Sequence, residues 1–422
     1  MMQYTLSRNS IRKVAALSSG TAIAQILGMF AAPFLTRLYL PSEFGTFAIY
    51  LNSVLLLSVV ACLRYEMTIM LVKQRRTAVL LVFLSALIAG VVSFSLWVPV
   101  IVFEDTIHAM VGLGVESHLL LVLPISLLLA VLYKIASSWR VRSKDFSGLS
   151  LSKLWQSLPQ MFGQILFGLL HYGVWGLVIG EIVGRLLGFL SLAYRSRELL
   201  YIRLPLRFQR ARRLLAYYRH YPLYSTWSGL INEAGTLAPV FFLATLYGVK
   251  TAGLFALMQR VYALPFDLVS QTASTIYVGE ASQAIRTNVG QLPGLFVKVF
   301  SSLLVIAVIP ATLLICFGPG LFEMVFGHEW YEAGIYAQIM AVAYGVRLAV
   351  SPISQTMQML GRQRFILFLE TIRLLSIVSV FAFGYLLTLE VEAVLFWYSV
   401  VLISCYVWMF VATWQLVKSV RV

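Results

Sequence analysis

Twelve apolar stretches separated by short polar connections run the length of this chain, at 14–37, 43–63, 77–103, 118–139, 148–171, 174–196, 222–247, 251–279, 292–317, 333–358, 363–388 and 391–417. Each suffices to cross roughly 30 Å of hydrocarbon as a helix, which takes about 20 residues. Irregular backbone cannot face lipid, and the in-and-out alternation of barrel strands is absent. The pattern therefore predicts an all-α polytopic membrane protein. No connection is long enough to fold as a domain, which places any chemistry between helices. The first apolar run is too long for a cleavable leader and lacks a clear small-residue cleavage site, so it is expected to remain as the first helix.

The connections alternate in charge. One set carries Arg8, Arg12 and Lys13; Arg64, Lys73, Arg75 and Arg76; Lys134, Arg140, Arg142 and Lys144; eight arginines from Arg195 to Arg219; Arg286; Arg362 and Arg364; and Lys418 with Arg421. The other set holds Glu43, Glu104, Asp105, Glu116, Glu323, Glu329, Glu332, Glu390 and Glu392, with Arg37 and Lys250 as its only cations. Short loops rich in Lys and Arg stay cytoplasmic, so both termini are expected on that side. Composition agrees: 60% of residues are hydrophobic and 12% charged, against about a quarter charged in soluble domains. The net charge of +15 is spread over the basic loops, which favours anionic lipid over nucleic acid as its partner. Cys62, Cys316 and Cys405 are isolated and show no metal or redox spacing, so neither a metal nor a cofactor is expected. Trp97, Trp330, Trp397 and Trp414 near span ends read as interface anchors.

The halves repeat. Residues 34–48, FLTRLYLPSEFGTFA, align without gaps on residues 242–256, FLATLYGVKTAGLFA, with seven of fifteen positions identical. The repeated element is the hairpin joining the first two helices of each half, which implies two parallel six-helix lobes around a central cavity. The expected division is a lobe at 1–196, a linker at 197–221 and a second lobe at 222–422. The linker sets Arg203, Arg207, Arg210, Arg212, Arg213 and Arg219 among leucines and aromatics. It reads as a helix lying in the cytoplasmic interface with its apolar side among acyl chains.

Ionised groups within spans cost something like 2.5–3.5 kcal/mol even on lenient scales, so they face a partner or a cavity. Glu181 and Arg185 are four residues apart, and Glu370 and Arg373 three. Both spacings suit self-neutralisation along a helix as well as they suit a cavity role. Arg260 and Arg347 have no acid within one turn, and Asp267 stands two turns from Arg260. A guanidinium that keeps its charge and grips phosphate oxygens bidentately makes these two arginines candidate anion hosts. Glu233, about midway along its span, suits a coupling-ion site or a partnership with Arg260.

The hairpin TRLYLPSEFGTFAIY at 36–50, followed by RYEMTIML at 64–71, resembles the Wzx-type polysaccharide-repeat flippases, the O-antigen transporters of the multidrug/oligosaccharidyl-lipid/polysaccharide exporter superfamily. The resemblance is clearest over the first 75 residues. It implies movement of an undecaprenyl-pyrophosphate-linked glycan across the bacterial inner membrane by alternating access, with helices 1, 2, 7 and 8 lining the cavity. It also implies a polysaccharide polymerase and a chain-length regulator as partners, and it gives Arg64 and Glu66 a functional role. Arg185, Arg260, Arg347 and Arg373 remain headgroup candidates from the residues alone, and Glu181, Glu233, Asp267 and Glu370 their charge partners or ion-coupling groups. A cation exporter of the same superfamily is the nearest rival, although a cationic cavity suits it poorly. A membrane polymerase is the second. His108, His171 and His328 lie in or near the outer loops without a partner constellation, and those loops are short, so a transporter is expected rather than an enzyme.

Overall fold

The computed structural model describes residues 8–102, 118–196 and 208–419, and among these every regular element is helical. The first half contains α1 (Arg8–Leu38), α2 (Pro41–Ala61), the single turn α3 (Tyr65–Thr68), α4 (Arg75–Ser95), α5 (Trp97–Val102), α6 (His118–Arg142), α7 (Phe146–Leu169) and α8 (Val174–Arg195). A short helix, α9 (Phe208–Tyr217), and a π-helical turn (Tyr221–Ser225) lead into the second half. There follow α10 (Thr226–Tyr247), α11 (Val249–Thr287), α12 (Leu292–Phe326), α13 (Tyr331–Met359), α14 (Gln363–Leu386) and α15 (Val391–Ser419).

All twelve expected spans fall on helix, the third on α4 and α5 together. Among the described residues nine helical segments are long and apolar enough to cross a membrane, and α11, bent by 45° between Val249–Ala263 and Leu268–Ile285, makes a tenth. Of α1, the stretch Ala22–Leu38 is apolar. The remaining helix, α7, carries Lys153, Gln156, Gln160 and Gln164. Those glutamines meet glycines of α8. A Cβ on Gly184 would stand 2.6 Å from the Gln156 carbonyl oxygen, and one on Gly180 2.8 Å from the Gln164 backbone nitrogen. Small residues let two backbones approach where lipid gives no hydrophobic drive. In the second half Gly318 and Gly334 do the same for α12 and α13, each lying against the other's carbonyl oxygen.

Large apolar side chains cover the outside. Phe30, Ile309 and Leu386 are 70%, 74% and 72% exposed, an apolar surface suited to acyl chains rather than water. Trp330 departs from the expected interface anchor: it is fully buried in the turn before α13. Trp414 packs on Phe296, with the Lys418 ammonium 4.9 Å from its ring.

The chain divides into two compact units, Met1–Glu233 and Ala234–Val422. The division falls inside α10 because the start of that helix is held by the first unit. Gly229 lies under the Arg64 guanidinium, and the Ser225 hydroxyl sits 3.9 Å from the Met67 sulfur. The repeated hairpins have matching roles. Leu35 and Leu243 are both fully buried, as are Gly45 and Gly253. Tyr39 donates to the Gln164 carbonyl at 2.6 Å, and Tyr247 to the Leu389 carbonyl at 2.9 Å. Tyr39 thus ties its hairpin to α7, and Tyr247 ties its own to the connection between α14 and α15, each within its own unit.

Candidate functional site

Arg64 and Glu66 lie within the break between α2 and α4, Glu66 on the single turn α3. Arg64 takes a left-handed conformation with φ 58°, which costs a non-glycine residue of order 1–3 kcal/mol and persists only where the surroundings hold it. Its guanidinium lies against Gly229, where an added Cβ would overlap it, and its Nη1 is 3.7 Å from the Met67 sulfur. Glu66 points elsewhere and is almost wholly buried. Lys134 of α6 approaches its carboxylate at 3.3 Å, and the Cys62 thiol donates to it at 2.8 Å. In the sequence Lys134 belongs to the basic loops and Cys62 to the isolated cysteines. Cys62 lies four residues before Glu66, whereas the packing of α6 brings Lys134 to it.

Other basic loop residues staple the same region. The Arg142 guanidinium donates to the carbonyls of Ile69 at 2.9 Å, Lys73 at 3.1 Å, and Val72, satisfying acceptors that a broken helix leaves orphaned. Tyr65 donates to the Leu215 carbonyl of α9 at 3.1 Å, and Leu214 and Tyr218 pack on the cluster around Trp139. The linker is therefore helical from Phe208 with Arg212 and Arg213 exposed, but part of its apolar face rests on protein rather than on acyl chains. Residues 197–207 of the linker lie outside the described residues.

In the middle of the first unit, Glu181 and Arg185 of α8 are both buried and form the expected ion pair one turn apart. Gln160 of α7 donates to the second carboxylate oxygen, and Tyr50 of α2 shares a hydrogen bond with Ser126 of α6 alongside. Charge and hydrogen-bonding capacity are matched there, as burial in low dielectric demands.

The second unit is arranged differently. Glu370 and Arg373 of α14 pair at 2.6 Å. The Arg373 guanidinium lies over Gly235 of α10, whose Cβ, if present, would be 3.3 Å from its Nη2. On its inner side it meets a cavity of about 40 Å³, lined also by Arg347, Gln259, Tyr344, Tyr398 and Tyr406. Arg347 of α13 stands 5.7 Å from the Tyr344 ring centroid, and that ring stacks on Tyr262 at 4.5 Å. Two arginines from separate helices thus share one space, which the sequence could not show. Arg260 of α11 and Glu233 of α10 are half-buried. The side chain of Asp267 lies outside the described residues. Among the described residues no three His, Cys, Asp or Glu side chains converge as metal ligands. Guanidinium, phenol and amide groups here can bind anionic oxygens and orient them.

A family profile described as "Polysaccharide biosynthesis protein" matches residues 34–334. Among curated proteins none matches by sequence. Solved structures share the fold. A multidrug resistance MATE family transporter of the MOP superfamily, in an inward-facing conformation, matches with a TM-score of 0.74 at 14% identity over 94% of this chain and 95% of that one. The lipid II flippase MurJ, in an inward closed conformation, matches with a TM-score of 0.74 at 16% identity over 95% and 89%. A MOP superfamily transporter from Pyrococcus furiosus, whose binding pocket is described as of reverse polarity, matches with a TM-score of 0.66 at 14% identity over 97% and 96%.

Proposed function

This chain belongs to the polysaccharide biosynthesis protein family, and from that premise we propose that it is a flippase carrying an undecaprenyl-pyrophosphate-linked oligosaccharide, such as an O-antigen repeat unit, across the bacterial inner membrane by alternating access. The observation that carries the reading is that two guanidiniums from separate helices, Arg347 and Arg373, line one cavity in the second unit, with no carboxylate in its lining among the described residues. A diphosphate with about two negative charges needs such hosts at membrane depth. Moving it outward along an inside-negative potential gains roughly 2.3 kcal/mol per charge per 100 mV.

Arg347 and Arg373, with Arg260, are the headgroup hosts in this reading. Arg185 serves its own unit as the partner of Glu181, and Arg64 holds the start of α10. Glu233 and Asp267 are the ion-coupling candidates. The basic loops, with Arg212 and Arg213 of α9, face the cytoplasm and its anionic lipids, both termini are cytoplasmic, and a polymerase with its chain-length regulator takes the product. Likeness to the lipid II flippase supports the substrate class, and equal likeness to a multidrug transporter keeps cation export as the second reading. In a deletion strain, Arg260→Ala and Arg347→Ala are expected to abolish surface polysaccharide at unchanged protein level. Full complementation by both variants sinks the proposal, and transport of a cationic dye by the purified protein favours the rival.

A further inference from the structure

Consecutive residues in the break after α2 each reach a different element. Arg64 lies against Gly229 of α10, and Tyr65 donates to the Leu215 carbonyl of α9 at 3.1 Å. Glu66 pairs with Lys134 of α6 at 3.3 Å, and the Met67 sulfur meets the Ser225 hydroxyl of the π-helical turn at 3.9 Å. The backbone that presents them is strained. Leu63 and Arg64 are both left-handed, at φ 50° and 58°, a conformation disfavoured for a residue with a Cβ and kept only where the surroundings over-determine it. The Glu66 contact is the one anchored in the interior. Its carboxylate is almost wholly buried, with the Cys62 thiol and the Lys134 ammonium both turned to it. A carboxylate so buried is tolerated only with its counter-charge in place, so Lys134 decides whether α3 can stay where it is. The Thr68 hydroxyl bonds back to the Tyr65 carbonyl at 2.7 Å, which keeps the turn in one piece. What the turn grips is the chain's route out of the first unit, since α9 and the start of α10 belong to that unit and the second begins at Ala234, further along α10.

We propose that Lys134 is a positioning residue for transport: through Glu66 it fixes the strained turn α3, and through the turn it fixes α9 and the first residues of α10. Its role in transport rests on the flippase reading, although it lies in the other unit from the cavity on which that reading stands. Lys134 acts on the substrate only through the turn. Cys62 makes the state of the turn readable. Its thiol is fully buried against Glu66, whereas Cys316 is exposed and Cys405, in the second unit, is half-buried.

The test reacts the purified full chain in detergent with N-ethylmaleimide and follows each cysteine by peptide mass spectrometry, beside complementation of a deletion strain by the same variants. In the unaltered protein Cys316 is expected to react and Cys62 to stay protected. Lys134→Ala is expected to raise Cys62 labelling about tenfold or more by local opening, with Cys405 unchanged, and to abolish surface polysaccharide at unchanged protein level. Lys134→Arg, which keeps the charge, is expected to retain both protection and polysaccharide. Because Lys134→Ala leaves a buried carboxylate without its counter-charge and can fail to fold, the double variant Glu66→Gln/Lys134→Met removes both charges together. It is expected to accumulate normally and to fail in complementation. Protection of Cys62 in folded Lys134→Ala overturns the hold on the turn. Full complementation by either variant overturns the role in transport, and a double variant that does not accumulate makes the pair a folding element and overturns it as well. Complementation by Arg260→Ala and Arg347→Ala is a separate readout, so the flippase reading and the role of Lys134 fail separately.

Discussion

In the first unit Arg185 is held by Glu181 one turn away, and Gln160 takes the carboxylate's other oxygen. In the second, Arg373 is held by Glu370 in much the same manner, but it also borders a cavity that Arg347 enters from another helix. Both units therefore keep an intrahelical ion pair at membrane depth. One closes it off among glutamines and glycines, and the other leaves it beside a cavity that a second guanidinium also lines. The difference teaches that an acid at the right spacing marks a self-neutralised arginine only where the surrounding side chains complete the shell.

The comparison breaks most readily at the carboxylates. Glu181→Ala leaves Arg185 buried without its partner, a loss worth about 3–5 kcal/mol, and is expected to deplete folded protein in the membrane. Glu370→Ala, whose arginine keeps access to the cavity, is expected to cost less than half as much in a melting experiment on the two purified variants. Equal losses would erase the distinction.

Next in size come the glycines. Gly180→Ala drives a Cβ to 2.8 Å from the Gln164 nitrogen, overpacking that costs about 1–3 kcal/mol. Gly345→Ala on α13 meets nothing nearer than the Ala307 Cβ at 3.6 Å and is expected to be close to neutral. Melting temperatures that reverse this order would show that α7 and α8 tolerate separation.

The hairpin tyrosines sharpen the likeness rather than the contrast. Tyr39→Phe and Tyr247→Phe each remove one hydroxyl-to-carbonyl bond and are expected to cost about 1 kcal/mol apiece. A large loss for one and none for the other would mean that the repeat is one of sequence and not of role.

The smallest effect belongs to Asp145, in the loop before α7. Burial pushes its carboxyl upward, but the Gly148 N–H, the Ser147 hydroxyl and Arg140 outweigh that and hold it below the usual carboxylate value. A depressed value stabilises the fold above the unfolded group's pKa of about 3.9, and that contribution is lost as pH falls through the folded value. Asp145→Asn is thus expected to melt slightly lower than the unaltered protein at neutral pH, with the gap closing below about pH 4. A gap that persists in acid would assign the effect to the cap geometry alone.

The helices and their number were legible in the apolar pattern, since only helix satisfies the backbone in lipid, and the Glu181–Arg185 pair was legible in its spacing. The repeat predicted two hairpins of one shape, down to the tyrosine that each uses. What stayed hidden depends on which faces meet. Lys134 reaches Glu66 across a separation that no local pattern encodes, and Arg347 meets Arg373 only because α13 and α14 enclose a common space. The amphipathic pattern of the linker told that one face is apolar but not what covers it. Leu214 and Tyr218 found protein there. Trp330, near a span end, reads in sequence like the other tryptophans, and the turn before α13 buries it.

The two tyrosine pins carry a mechanical consequence. In each, donor and acceptor belong to the same unit, so turning one unit as a body stretches neither bond. A six-helix half thereby arrives with its own fastening, and joining a second copy to it asks nothing new of either hairpin.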